Sequence, residues 1–224
     1  EQRDRFLLDL ALDKTTIQYQ DRGLNGKKPV TITGKKLRAL MEDIIDLTKL
    51  GAIVQRKGLP LSKMIDLRND GGRLPRFQVR VGEEMCVAYS EEEQATLIDR
   101  QEALEMERIE AERSELEQQD LVESAEMDEK PRLRHNTIEY PESAAIESIF
   151  NRIEGLGIPA ILIVPADIEI DPDNPFEEYH PLLVLDKDDR TLVADSLPEL
   201  LERVREIGGK GVSVQRYKGL GEMN

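Results

Sequence analysis

Between Ser90 and Pro131 the chain contains no proline and no glycine, and it is dominated by Glu, Ala, Leu, Gln and Arg. These residues lose little side-chain freedom in a helix, so a long helical segment is the expected outcome. Its charge limits what that helix can pack against. Residues 91–129 hold 16 Asp/Glu and 3 Lys/Arg, a net charge of −13 out of −15 for the whole chain. The apolar positions Ile98, Leu104, Ile109, Leu116 and Leu121 are too sparse to form a continuous core stripe. Ser90 with Glu93 makes a capping box, and Glu91, Glu92 and Glu93 sit at the positive end of the helix dipole. The segment 91–130 therefore reads as an acidic, largely exposed arm, either one helix or a helical hairpin that frays between 118 and 129.

The rest of the chain is less one-sided. Residues 1–90 carry 17 Lys/Arg against 12 Asp/Glu, and residues 130–224 carry 11 against 18. The sequence pI of 4.7 thus hides a basic first third. Clustered cations are what displace counterions from nucleic acid, so this third is the place to look for such contact. One cysteine, Cys86, excludes an internal disulfide framework and a cysteine-ligated zinc site. With only His135 and His180, a histidine-rich metal centre has few ligands. No run reaches the ~18 apolar residues of a membrane helix. The composition suits a reducing, cytoplasmic setting.

Local patterns predict a mixed α/β (α+β) fold. Phe6 to Leu12, Thr16 to Gln20, and Val30 with Ile32 read as short strands. Gly34 opens a helix with the stripe Leu37, Leu40, Met41, Ile44, Ile45 and Leu47, closed by Gly58 and Pro60. Lys35, Lys36 and Arg38 lie off that stripe. Leu61 to Leu67 adds a short helix, Asn69 to Gly72 a turn, and Phe77 to Tyr89 a hairpin. Ser143 to Glu154 is helical, Ile158 to Val164 reads as a buried strand, and Leu182 to Ala194 as a hairpin. Ser196 with Glu199 caps a last helix, followed by a strand from Val212 to Tyr217. No internal repeat is visible. The expected domains are a first lobe at 1–90, the arm at 91–130, a second lobe at 131–211 and a return strand with tail at 212–224.

Several motifs bear on chemistry. Asp167, Glu169, Asp171, Asp173 and Glu178 echo a calcium loop, but Pro172 stands where the sharp turn needs glycine. Asp186-Lys187-Asp188 has the form of a magnesium-binding pair, and a turn between two strands explains it equally well. Gly34-Lys35 is no phosphate loop, since position 29 is Pro and position 36 is Lys. No nucleophile–base set is suggested, and Cys86 reads as packed. No catalytic or metal residue is assigned. The tail differs: Arg216 and Lys218 alternate onto one face beside Gly219 and Gly221, whose small size admits an anion to the backbone.

The ten residues from Gln215 to Asn224, QRYKGLGEMN, resemble the signature that closes the Toprim domain in the gyrase B family of type II topoisomerases. Residues 1–14 resemble the entry of the large insert that many members carry inside their Toprim half. Residues 35–69 resemble the helix-rich stretch that follows, and residues 176–224 the exit from the insert. Relatives of the topoisomerase IV kind usually lack such an insert. The arm at 91–129 has no match among the better-known inserts. The resemblance implies an enzyme that supercoils DNA with ATP, a tyrosine from a gyrase A partner and magnesium held by Toprim acids. Those acids and the ATP site lie upstream in the family and are absent from these residues, so the fragment is expected to be non-catalytic and to hold no cofactor itself. Double-stranded DNA and the A subunit are the implied partners of the intact cytoplasmic, nucleoid-associated enzyme. Arg216, Lys218, Gly219 and Gly221 are the implied DNA contacts near the cleavage centre. On the charge argument a basic face within residues 27–76, formed by Lys27, Lys28, Lys35, Lys36, Arg38, Arg73 and Arg76, is expected to meet DNA or the A subunit, with Lys35, Lys36 and Arg38 as its DNA contacts. The rival readings are a spacer or buttress, a topoisomerase IV fragment, a free-standing acidic DNA mimic, and a magnesium enzyme using Asp186 and Asp188.

Overall fold

The computed structural model describes residues 8, 11–20, 29–81, 84–118, 135–164, 182–188 and 190–209. The chain forms two compact units. One joins Glu1–Lys49 to Phe150–Asn224, and the other is Leu50–Ile149. Among the described residues, two antiparallel sheets and the α-helices beside them give a mixed α+β architecture, as the sequence patterns predict. The expected lobes, 1–90 and 131–211, are contiguous stretches, whereas the first compact unit is assembled from both ends of the chain. Strand pairing between distant segments produces this arrangement, and no local pattern encodes it.

In the first unit, β1 (Thr15–Tyr19), β2 (Val30–Thr33), β6 (Leu183–Lys187) and β7 (Arg190–Ala194) form a sheet in the order β2-β1-β6-β7. Every pairing is antiparallel. Strand alternation puts Ile17, Tyr19, Ile32, Leu183, Leu185 and Ala194 on the buried face. Thr16, Gln18, Thr31, Thr33, Val184 and Val193 take the other. Helix α1 (Gly34–Arg56) follows β2 directly. Its stripe Leu37, Leu40, Met41, Ile44 and Leu47 is fully buried, as the 3.6-residue spacing predicts. Helix α5 (Leu197–Gly209) packs on β7. Gly157, at φ +85°, brings its backbone so close to Val30 that an added Cβ would lie 3.1 Å from Val30 Cγ2.

The second unit holds β3 (Phe77–Val81), β4 (Glu84–Ala88) and β5 (His135–Glu139), in the order β4-β3-β5. Helix α2 (Leu61–Asp66) precedes them. Helix α3 (Glu91–Gln118) lies on β3 and β4, with Leu97 and Ile98 packed against Phe77, Val79 and Ala88. Helix α4 (Ser143–Gly155) begins in this unit. The segment expected to be an exposed arm is thus one helix over its described part, and its first turns are integral to a small core. The stripe that docks it is only two apolar residues wide, too short to register as a core face. Polar contacts extend the docking, from Gln94 to Thr137 and from Glu102 to His135.

Two local expectations are corrected, and one strand is added. Residues 8, 11 and 12 are helical where Phe6 to Leu12 reads as a strand. Ala160–Ile163 is a 3₁₀ turn, with Ala160, Leu162 and Ile163 buried and Ile161 exposed, where Ile158 to Val164 reads as a strand. A short apolar run cannot by itself distinguish helix from strand. The sequence patterns give no strand at β5, because only Thr137 and Ile138 have strand character there; it forms because β3 offers it a full ladder. The predicted strand from Val212 to Tyr217 lies outside the described residues.

The structure also reveals a repeat. Phe77 to Glu93 and Leu183 to Glu199 each run as a five-residue strand, two residues, a five-residue strand, two residues and a helix start. The registers match: Phe77 faces Ala88 as Leu183 faces Ala194. Both copies read Val-Ala-x-Ser-x-x-Glu, at 87–93 and 193–199. The caps are the same. Glu93 N–H donates to Ser90 Oγ at 3.2 Å, and Glu199 N–H to Ser196 Oγ at 3.3 Å. Each glutamate then accepts from the residue before the serine, Tyr89 N–H at 2.8 Å and Asp195 N–H at 3.0 Å. The copies share so few identities that the repeat is legible only once their registers are known. Replacing one cap, Ser196→Ala, is expected to cost about 1 kcal/mol, with Ser90→Ala alike. The shift of the urea midpoint measures it, and Ser196→Asp should retain most of the stability.

Candidate nucleic-acid interface

The basic end of α1 is built by a change of backbone. At the end of β2 the chain turns through Gly34, whose φ of +55° favours a residue without a Cβ. Lys35 and Lys36 follow at once, Leu37 turns inward and Arg38 faces out again. The three cations are exposed while Leu37 is buried. Arg38 also has a partner within the chain. The first turn contains no acid. Cations at the positive end of a helix dipole are unfavourable for the helix, by about 0.3–1 kcal/mol each at low salt. The same geometry favours an anion laid across them. The first turn of α3 carries the opposite choice, with Glu91, Glu92 and Glu93.

Other cations are already neutralised. Arg152 on α4 meets Asp43 on α1 through Nε at 3.1 and 3.2 Å and through Nη2 at 2.5 Å. Asp43 is buried, and its hydrogen bond raises the Arg152 guanidinium above its ordinary range. Asp43 falls between Met41 and Ile44 on the apolar stripe, and a carboxylate there is the one sequence signal that could have revealed this pair. In the second unit, Arg76 Nη2 lies 3.4 Å from Glu91 and 3.3 Å from Glu139. Its charge is therefore spent within the fold.

Lys57 is also committed. Its Nζ donates to both oxygens of Glu142 at 2.8 Å and to the backbone oxygen of Glu139 at 3.2 Å, on the edge strand β5. Burial alone would raise the Glu142 carboxyl. The hydrogen bonds from Lys57 and from its own backbone outweigh that and hold it below the usual range. Tyr140, fully buried, donates to Gln78 Oε1 at 2.6 Å, and burial raises its phenol. This network carries no sequence signature, because its members are far apart along the chain.

The remaining expected sites fall as follows. Arg216, Lys218, Gly219 and Gly221 lie outside the described residues, as does the acidic loop from Asp167 to Glu178. Asp186 Oδ1 accepts from Thr191 Oγ1 at 2.7 Å across the β6–β7 hairpin. Among the described residues no group of three His, Cys, Asp or Glu side chains is placed to hold a metal ion. No described helix is long and apolar enough to cross a membrane. Cys86 is half-buried and accepts from Gln101 Nε2 at 3.6 Å.

Two outcomes are expected. Arg152→Ala leaves the buried Asp43 carboxylate uncompensated and should destabilise the chain by about 3 kcal/mol, the low end of the range for broken pairs because Arg152 itself is half exposed. Glu142 has a folded value below its ordinary 4.5, so its contribution is present above that pH and is lost as pH falls through the folded value. Glu142→Gln should therefore flatten the acid limb of the stability–pH profile below about pH 4.5, read as the urea midpoint at each pH.

No protein-family model matches the chain, and no solved structure matches it. Across a 232-residue alignment that covers its whole length, the chain is 23% identical to the B subunit of DNA gyrase from Chlamydia pneumoniae. It spans 23% of that protein, about a quarter of its length, and is related to a gyrase B protein at that level of similarity.

Proposed function

We propose that these residues are an insert of a gyrase B-type protein, together with the tail that returns the chain to the Toprim domain. The observation that carries this reading is the whole-length similarity to a gyrase B protein combined with the string QRYKGLGEMN at 215–224. The insert is non-catalytic, and the parent is an ATP-hydrolysing type II topoisomerase, an isomerase of DNA. ATP and magnesium belong to parts of the parent that these residues do not include. The gyrase A protein and duplex DNA are its partners, in the bacterial cytoplasm.

Within that enzyme the insert modulates DNA binding and the coupling of ATP use to strand passage. The exposed cluster of Lys35, Lys36 and Arg38 supports a DNA-facing role for the first turn of α1. Its contact is with backbone phosphates and is independent of base sequence. Arg216 and Lys218, with Gly219 and Gly221 beside them, contact DNA near the cleavage centre. The carboxylates of α3 repel DNA at close approach and steer its path. Beyond about 8 Å salt screens that repulsion, so only the segment nearest the helix feels it.

The test uses the intact parent protein assembled with its gyrase A partner. Lys35→Glu, Lys36→Glu and Arg38→Glu together should weaken DNA binding. Each lost phosphate contact should also flatten the slope of log K against log salt by about 0.9. An unchanged slope refutes the DNA-facing role. Replacing residues 5–208 by a short linker should abolish supercoiling while the enzyme still assembles. If supercoiling and DNA-stimulated ATP turnover both persist, the insert is a spacer, and its DNA role reduces to the tail.

A further inference from the structure

Most described threonines spend their hydroxyls within the chain. Thr15, Thr48 and Thr96 each donate to the backbone oxygen four residues back, Thr191 donates to Asp186, and Thr137 accepts from Gln94. Among the described residues, Thr16, Thr31 and Thr33 are the exceptions. These three are neighbours on one face of the four-stranded sheet. Thr33 lies opposite Thr16 across the β2–β1 ladder, and Thr31 lies opposite Gln18. Thr31 and Thr33 are exposed on the edge strand, with Thr16 and Gln18 half-buried behind them. The line runs directly into the basic start of α1. Gly34 follows Thr33, exposed, with nothing within 4 Å of the place a Cβ would take. Lys35, Lys36 and Arg38 come next, all exposed, and the first turn holds no acid. Farther across the sheet the same face changes character. There β6 and β7 carry Val184, Val193 and Asp186, whose Oδ1 accepts from Thr191 at 2.7 Å.

We propose that Thr31 and Thr33, backed by Thr16 and Gln18, continue the phosphate contact of Lys35, Lys36 and Arg38, so that duplex DNA lies along β2 as well as across the start of α1. The proposed contact rests on the DNA-facing reading of that helix end and extends it to neutral donors. A hydroxyl donates readily to an anionic oxygen. Threonine and glutamine side chains are regular partners of DNA phosphates, beside lysine and arginine. Thr31 and Thr33 stand about 7 Å apart along the strand, so they meet different phosphates. The surface is therefore a track and not a pocket. Because β2 has a neighbouring strand on one side only, a bulky duplex can approach it. Asp186 bounds the track, since its carboxylate repels phosphate. Neutral donors release no counterions. The cations thus set the salt dependence of binding, and the hydroxyls add affinity without it.

The experiment uses the intact parent protein assembled with its gyrase A partner, binding a duplex of arbitrary sequence over a range of salt. Thr31→Val with Thr33→Val keeps the shape and strand preference of both positions. It should raise Kd about tenfold, the effect of losing two modest hydrogen bonds. The slope of log K against log salt and the urea midpoint should stay as in the wild type. Thr31→Ser with Thr33→Ser keeps both hydroxyls and should restore binding. Thr191→Val, at the opposite edge of the same sheet, should bind as the wild type does. Suppose instead that the valine pair binds normally while Lys35→Glu, Lys36→Glu and Arg38→Glu together still flatten the slope. The role of the threonines is then overturned, and the DNA-facing reading stands. A flattened slope in the valine pair overturns the role too, because the loss would then come from displaced cations. No change in either set of variants refutes both.

Discussion

The pairing of β1 with β6 is the constraint on which the first compact unit depends. Thr15 faces Lys187 and Tyr19 faces Leu183, so strands from opposite ends of the chain share one ladder. Closing so long a loop is slow but not prohibitively costly, since each doubling of loop length adds only about 0.6 kcal/mol. The ladder is reinforced at its rim, where Lys187 Nζ donates to the backbone oxygen of Ala11 at 2.9 Å. The whole of Leu50–Ile149 falls, in sequence, inside this closure and builds its own sheet from nearer partners.

Charge is handled differently along the same chain. Where a cation lies near a buried carboxylate it is consumed, as with Arg152 on Asp43 and Lys57 on Glu142. At the start of α1 the cations are left outward, whereas at the start of α3 Glu91 lies beside Arg76 and Glu93 completes the cap. The internal pairs hold elements together and cannot serve a ligand. The exposed Lys35 and Lys36 contribute little to the stability of the fold. Arg76 shows why counting basic residues in a sequence overstates a basic surface: it lies between two glutamates.

Most elements with a strong period were legible in the residues. The stripe of α1, the hairpin from Phe77 to Ala88, the hairpin from Leu183 to Ala194 and both Ser-x-x-Glu helix starts follow from spacing and cap chemistry. The failures share a cause, which is that the deciding partner is distant. Strand β5 exists because β3 lies beside it, and Ile158 to Val164 becomes a 3₁₀ turn although its residues suit a strand. At the candidate interface, the exposure of Lys35, Lys36 and Arg38 could be read from the helical period alone. The neutralisation of Arg76 and the links of Lys57 to Glu139 and Glu142 could not, because the partners are widely separated in sequence.

The twin hairpins have a consequence for how the chain finds its fold. Because β3–β4 and β6–β7 share strand lengths and register, a crossed ladder is conceivable, with Phe77 opposite Ala194 and Val79 opposite Leu192. Side chains give little discrimination against it, since both ladders would set apolar residues opposite one another. Speed provides the discrimination. A hairpin with a two-residue connection closes in about 1–10 μs, far sooner than strands a hundred residues apart can meet. Each copy therefore meets its own partner first and most often, before the other comes within reach. The brevity of the links at 82–83 and 188–189 acts as a kinetic proofreader, and lengthening either one would erode the fidelity of strand choice before it eroded stability.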